Sequence, residues 1–189
     1  MKLRKSILLV AVLSLAFGTA VFANSKGFTI EFNRNTVNDS VQADGDFYFN
    51  VRTMANSMHY LYEVDRQSKR VSIFKPNVHL LTINPATNEA FNVVSKGRTK
   101  FLVFAQVDNL NADISALKIT IDDPYKEETV VHSRTSSDPD FPSRSEFNTS
   151  TEVVYDFNSG AGTYTLKYWM QLRGQSSMQV VAEKAIFRR

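Results

Sequence analysis

Hydrophobic and polar residues alternate with period two in several short stretches, which is the spacing of β-strands with one buried face. In the first part of the chain, residues 28–32, 60–64 and 71–73 follow this pattern. The polar segment 65–69 joins the last two stretches, so we predict a hairpin there. Pro76 ends the returning strand, because proline has no N–H to donate to a sheet.

One stretch follows a helical period instead. Its apolar residues fall at i, i+3, i+4 and i+7, and they are Val51, Met54, Ala55 and Met58. Asn50 precedes them in the position of an N-cap. A helix of two to three turns needs packing to be stable, because so few turns are marginal alone. We therefore predict a small α+β module of ββαββ order within residues 24–83.

The chain after Thr99 has only strand patterns. They cover residues 101–107, 114–121, 129–131, 153–157, 163–172 and 180–187, and polar turns separate them. Several short strands at such intervals are typical of an antiparallel β-sandwich. Residues 84–98 carry Asn, Pro and Gly and are interpreted as a linker, so we predict a sandwich domain over residues 99–189 of a mainly β protein.

A resemblance makes the sandwich prediction more specific. The segment Gly160-Ala-Gly-Thr-Tyr164 is similar to the Gly-x-Tyr start of the penultimate strand in immunoglobulin-like domains. The resemblance implies a structural role for Tyr164, whose hydroxyl in such domains bonds to upstream backbone. The chain has no cysteine, so the expected domain is an immunoglobulin-like sandwich without the disulfide.

A second resemblance concerns the α+β module. The segments Phe47-Tyr-Phe-Asn-Val-Arg52, Val64-Asp65 and Lys69-Arg-Val-Ser-Ile73 resemble the copper amine oxidase N-terminal (stalk) domain over about residues 28–83. In the amine oxidases this module is a non-catalytic appendage, so the resemblance implies neither copper nor oxidase activity. Arg52 is interpreted as a structural arginine that pairs with a carboxylate such as Asp65.

The N-terminus has the pattern of a secretory signal. Lys2, Arg4 and Lys5 precede an apolar run over 7–17, and small residues place the cleavage site after Ala23. We expect a secreted, extracytoplasmic product with no further membrane span; the alternative is an uncleaved N-terminal anchor. Export without cysteine favours a bacterial origin.

Removal of this segment changes the charge balance. The chain has 22 Lys and Arg against 19 Asp and Glu. The signal holds three of the cations and no acid, so 22 − 3 leaves 19 against 19 in the mature chain. A formally neutral protein gives no electrostatic argument for nucleic acid as a partner.

No constellation of catalytic or metal-binding residues stands out. The three histidines, His59, His79 and His132, lack the clustered spacing of a copper or zinc site. Acidic pairs occur at 44/46, 122/123 and 138/140, where aspartate commonly occupies turns. We therefore predict no cofactor, no metal and no enzymatic activity; an enzyme would need His132 or His59 beside paired carboxylates.

The long polar segment 132–150 is the most informative stretch outside the predicted core, because loops of this length are commonly functional. It carries Arg134, Phe141, Arg144 and Phe147, a composition found in binding surfaces. One interpretation is a loop that contacts a partner. The other is an excursion whose phenylalanines fold back onto the sheet.

The leading hypothesis is an exported, non-enzymatic protein of the bacterial cell envelope or medium that binds protein or cell-wall glycan. The alternative is a carbohydrate-binding module or an accessory to a secreted hydrolase. That alternative predicts a flat row of exposed aromatic rings, with Tyr155 and Trp169 as the first candidates.

Overall fold

The structure is a computed structural model that describes residues 30–32, 35–37 and 40–189. The predicted signal segment and its cleavage site after Ala23 lie outside the described residues. Contacts between residues divide the chain after Asn50 into two units, which are described separately below. No helix in the described part of the chain is long and apolar enough to cross a membrane.

The described residues of the first unit form two antiparallel strand pairs. Their strands are β1 (Ile30–Phe32) with β2 (Asn35–Val37), and β3 (Ser40–Ala43) with β4 (Asp46–Phe49). Asp44 and Gly45 form the two-residue turn between β3 and β4, and their φ angles are 53° and 86°. Two positive φ angles match the right-handed twist of a hairpin, which is why Asp-Gly is favoured at this turn.

The second unit begins with helix α1 (Val51–Met58) and a hairpin of β5 (Leu61–Asp65) and β6 (Arg70–Phe74). The Asp65 carboxylate holds the turn of this hairpin: it accepts hydrogen bonds from the N–H groups of Gln67 and Ser68 and from the Ser68 hydroxyl. These bonds also lower the pKa of Asp65. Leu61 is fully buried and belongs to the core of this unit.

Eight further strands form two larger sheets. They are β7 (Asn77–Ile83), β8 (Val93–Val94), β9 (Arg98–Asp108), β10 (Ile114–Asp122), β11 (Glu128–Thr135), β12 (Phe147–Asp156), β13 (Gly162–Leu172) and β14 (Gln179–Arg188). One sheet has the order β12-β9-β7 and the other β11-β10-β13-β14-β8. Neighbouring strands are antiparallel, except that β8 runs parallel to β14.

Side chains from both sheets form one hydrophobic core. Every second residue is buried over 101–107 of β9, 151–155 of β12 and 164–172 of β13, as the period-two pattern requires. Tyr155 of β12 and Tyr164 of β13 meet edge to face, with 6.0 Å between ring centroids. Phe157 contacts both tyrosines and Phe101. Aromatic rings thus fill the centre of a core that has no disulfide.

The prediction of a mainly β protein with antiparallel sheets is confirmed. The structure differs in detail around the predicted linker, residues 84–98. Residues 77–83 lie within the predicted N-terminal module but carry no predicted strand; they form β7, which pairs along its length with β9. Strand β8 lies within the predicted linker and pairs with β14. Thr82 and Phe91 exchange hydrogen bonds that close the loop between them, so this polar segment is part of the sheet framework.

Candidate functional site

Three loops meet at one end of the two sheets and enclose a cleft of about 540 Å³. They connect β9 to β10, β11 to β12 and β13 to β14. The polar residues along the cleft are Asn111, Asp113, Ser143, Arg144, Ser145 and Arg173. Its volume lies within the range of small-ligand sites. This end of the second unit is therefore the candidate functional site.

Backbone hydrogen bonds connect the three loops directly. Leu110 donates its N–H to the carbonyl of Ser145 at 3.0 Å, and Arg173 donates its N–H to the carbonyl of Asp113 at 2.8 Å. Leu110 is only 4% exposed and anchors its loop in the core. The walls of the cleft are thus fixed relative to one another, which reduces the entropy lost when a ligand binds.

The turn between β13 and β14 has its own supports. Gly174 has a φ of 84°, in the left-handed region that favours glycine. Gln175 donates its N–H to the carbonyl of Leu172, and the Gln171 side-chain amide donates to the carbonyl of Gln175. Arg173 projects from a turn that is held at both ends.

Arg144 and Arg173 bring two positive charges to the cleft from different loops. Within the part of the chain that the structure describes, neither guanidinium forms a hydrogen bond or an ion pair. The same holds for the Ser143 and Ser145 hydroxyls among the described residues. Asp113 is the one acidic residue on the described lining. The cleft therefore presents an excess of hydrogen-bond donors and positive charge.

The four residues predicted from segment 132–150 separate in the structure. Arg134 lies in β11, where Nη1 donates to the carbonyl of Asp140 at 3.3 Å. Phe141 and Phe147 are half-buried and pack against the hydrophobic core. Arg144 is exposed and lines the cleft. Phe141 and Phe147 thus fold back onto the sheets, as the second interpretation expects. Arg144 is exposed and can contact a partner.

The loop between β11 and β12 is shorter than the polar segment, because both strands extend into it. Asp138 organises its first turn: the carboxylate accepts the N–H of Thr135 at 2.6 Å, and its carbonyl accepts the N–H of Phe141 at 3.1 Å. This is the turn role expected of the 138/140 acidic pair.

Tyr155 and Trp169 do not share a surface. Tyr155 is 9% exposed and lies in the core, where burial raises the pKa of its hydroxyl. Trp169 is half-buried on the opposite face of β13 from Tyr164 and Tyr168. The indole N–H donates to the Thr120 hydroxyl at 2.8 Å. The two rings therefore cannot form one flat platform.

Charged side chains surround the Trp169 ring. The Lys118 ammonium lies 4.3 Å from the ring centroid and that of Lys167 lies 5.7 Å away. Lys118 also pairs with Glu128 at 3.4 Å, and Lys167 pairs with the buried Asp122 at 2.5 Å. These cation–π contacts and ion pairs hold the ring against the sheet.

The three residues given structural roles have defined contacts. The Tyr164 hydroxyl donates to the carbonyl of Gly160 at 3.1 Å, four residues upstream. Arg52 donates from Nε to the Tyr62 hydroxyl at 3.0 Å. Asp65 accepts its hydrogen bonds from the hairpin turn.

His59 and His79 line one cleft together with Glu183, whereas His132 lies beside a different cavity. No group of three or more His, Asp or Glu side chains in the described residues is placed to hold a metal ion. His59 Nε2 lies 3.8 Å from the Glu183 carboxylate. His132 lies beside a cavity of about 10 Å³, room for about one water molecule. Burial, with Arg134 nearby, lowers the pKa of His132 below its usual value.

Sequence reasoning identified Arg144 but not its neighbours at the cleft, Asn111, Asp113 and Arg173. These residues lie in separate turns and become adjacent only when the strands pair. The segment Arg173-Gly174-Gln175 carried a turn signal, but a turn signal gives no information about which other loops lie beside it.

Comparison of the chain with protein-family models and with curated proteins found no match. The functional interpretation therefore rests on the geometry of the second unit.

Proposed function

We propose that this chain is an exported, non-enzymatic binding protein of the bacterial cell envelope or medium. Its partner is a protein or a cell-wall glycan, and the cleft formed by the three loops is the binding site. The observation that carries the proposal is the convergence of Arg144 and Arg173 from separate, hydrogen-bonded loops on one cleft. Unpaired guanidiniums in a fixed cleft are well suited to recognition, because they lose little free energy in reorganisation.

We also propose that the second unit contains an immunoglobulin-like sandwich. The order β12-β9-β7 corresponds to strands E, B and A, and β10-β13-β14 corresponds to C, F and G. Tyr164 near the start of β13 has the hydrogen bond of a tyrosine corner. In this correspondence the β9–β10 and β13–β14 loops are the B–C and F–G loops, which carry binding sites in variable domains.

The relation to the copper amine oxidase N-terminal domain is likewise a proposal. Its support is the order of elements along the chain: the β3–β4 hairpin, then α1, then the β5–β6 hairpin. Over residues 40–74 this is the ββαββ order expected of the module, while β1, β2 and β7 are further strands within the predicted range 24–83. In the amine oxidases this domain is a non-catalytic appendage, and such a module is consistent with a binding protein.

The carbohydrate-binding alternative has less support. An aromatic platform stacks sugars on open ring faces, whereas Lys118 lies over the Trp169 ring and Tyr155 is buried. The proposal therefore assigns binding to the loop end rather than to the sheet face.

A co-sedimentation assay with a bacterial envelope fraction tests the proposed function. We expect the purified protein to sediment with the fraction and the double variant Arg144→Gln/Arg173→Gln to stay in the supernatant. Arg98→Gln plus Arg70→Gln is the matched control, because it removes the same charge outside the cleft. The proposal is wrong if the unaltered protein binds neither the envelope fraction nor candidate proteins. It is also wrong if the control variant loses as much binding as the double variant.

A further inference from the structure

The chemistry of the cleft indicates the class of ligand. Resting on the proposed function, we propose that the loop-end cleft recognises phosphate groups of an anionic polymer. The positions of Arg144, Arg173, Ser143 and Ser145 carry this inference.

The donors exceed the acceptors at this site. Each arginine offers five N–H donors and each serine one hydroxyl donor, while Asp113 is the acidic acceptor on the described lining. None of the four donor side chains is engaged by another described residue. A ligand that satisfies them must supply several acceptor oxygens and negative charge, as phosphate does.

The arrangement of the donors favours phosphate over carboxylate. A carboxylate has only two oxygens, in one plane, and a single arginine fork can contact both of them. Here the donors come from two loops, with Ser143, Arg144 and Ser145 on one and Arg173 on another. Donors that reach a ligand from separate directions suit the tetrahedral oxygens of phosphate.

The lining also argues against recognition of bases or sugar faces. Its described apolar residues are aliphatic or proline, including Leu110, Ala112, Ile114 and Pro142, and no aromatic ring lines the described cleft. Stacking on aromatic side chains is the main sequence-tolerant contact for nucleobases. Phosphate groups are therefore the recognised part, and single-stranded DNA has no advantage over a polymer without bases.

Binding of defined polymers to the purified protein tests this inference. The probes are polyphosphate, poly(glycerol phosphate), single-stranded DNA, poly-L-glutamate and neutral dextran, with affinities measured by biolayer interferometry over a salt series. We expect both phosphate polymers to bind more tightly than poly-L-glutamate, DNA to bind no more tightly than they do, and dextran not to bind.

Single substitutions locate the interaction. Arg144→Gln and Arg173→Gln should each weaken phosphate-polymer binding about tenfold or more, since each loses a charge-assisted hydrogen bond. Each should also reduce the slope of log affinity against log salt by about one. Arg98→Gln removes the same charge at the other end of β9, about 33 Å away along the strand, and should change neither quantity.

The results separate this inference from the proposed function. Equal or tighter binding of poly-L-glutamate would indicate an acidic peptide ligand, and tighter binding of DNA a contribution from bases; either overturns the phosphate inference. Equal losses in Arg98→Gln would show non-specific charge attraction and also overturn it. Envelope binding that depends on Arg144 and Arg173 without any polymer binding would sink the phosphate inference and leave the proposed function standing.

Discussion

At the scale of single residues, His132 gives the structure a predictable response to pH. Burial is the main cause that lowers the pKa of His132 in the folded chain, and Arg134 adds to it. The unfolded chain therefore binds a proton at higher pH than the folded chain does, and folding stability must fall as pH decreases through the region just below 6.5.

We expect His132→Gln to remove this part of the pH dependence. Urea unfolding between pH 7.5 and 5 should show a smaller loss of unfolding free energy in the variant than in the unaltered protein. Hydrogen bonds lower the pKa of Asp65, and in Asp123 burial raises the pKa but hydrogen bonds outweigh it, so both carboxylates affect stability only in a more acidic window below 3.8. A variant with the same slope as the unaltered protein would contradict the assignment.

The Tyr164 hydroxyl is a second single-residue test. Its ring is fully buried, and its hydroxyl bonds to the carbonyl of Gly160. Tyr164→Phe should lower the free energy of unfolding by about 0.5–1.5 kcal/mol, the usual net value of one hydrogen bond. Tyr125→Phe is the control, since Tyr125 is 72% exposed. Equal urea midpoints for the two variants would count against a corner role for Tyr164.

At the scale of elements, Gln179 attaches the β5–β6 hairpin to β14. Its side-chain oxygen accepts the N–H of Tyr62 at 2.8 Å, and its side-chain N–H donates to the carbonyl of Tyr62 at 3.0 Å. Gln179 is only 7% exposed. Both polar atoms of this buried side-chain amide form hydrogen bonds with the backbone of another strand, so the amide links the two elements.

Gln179→Ala should therefore loosen the hairpin more than the sheets. We expect faster amide hydrogen exchange over β5 and β6, with exchange in β9 and β13 changed less. Gln67→Ala, at the exposed hairpin turn, serves as the control. Unchanged exchange at Tyr62 in the Gln179 variant would show that this contact does not hold the hairpin.

The strands and the helix differ in how well the sequence pattern predicts them. Strands such as β9, β10 and β13 were found because each buries alternate side chains, so the pattern is local. Helix α1 was found from its apolar stripe. The sequence does not predict β8, because two residues carry no period. It does not predict β7 either, and the pairing of β7 with β9 could not be predicted because pairing partners are not encoded locally. The cleft could be predicted only in part for the same reason: Arg144 and Arg173 line it together only because of the order of strands in the sheets.

At the scale of the second unit, one core joins the hairpin to the two sheets. Leu61 of β5 is fully buried within the same cluster as Phe101 of β9 and Leu166 of β13. Leu61→Ala should lower the unfolding free energy by about 2–5 kcal/mol, because it removes buried methyl groups and leaves a cavity. Val64→Ala, at a residue 50% exposed on the same strand, is the control.

The same variant tests the cooperativity of this unit. Trp169 fluorescence reports on the sheet that contains β13, while far-ultraviolet circular dichroism reports on all strands. Both signals should shift together in Leu61→Ala. Loss of structure without a change in the Trp169 transition would separate the hairpin from the core.

At the scale of the whole molecule, we expect the partner to bind at the loop end of the second unit. Hydrogen–deuterium exchange of the purified protein, measured with and without a bacterial envelope fraction, shows where binding occurs. Exchange should become slower at residues 109–113, 136–146 and 173–178. Binding at the loop end is contradicted if exchange slows only on the sheet face around Trp169, or if it slows at no described residue.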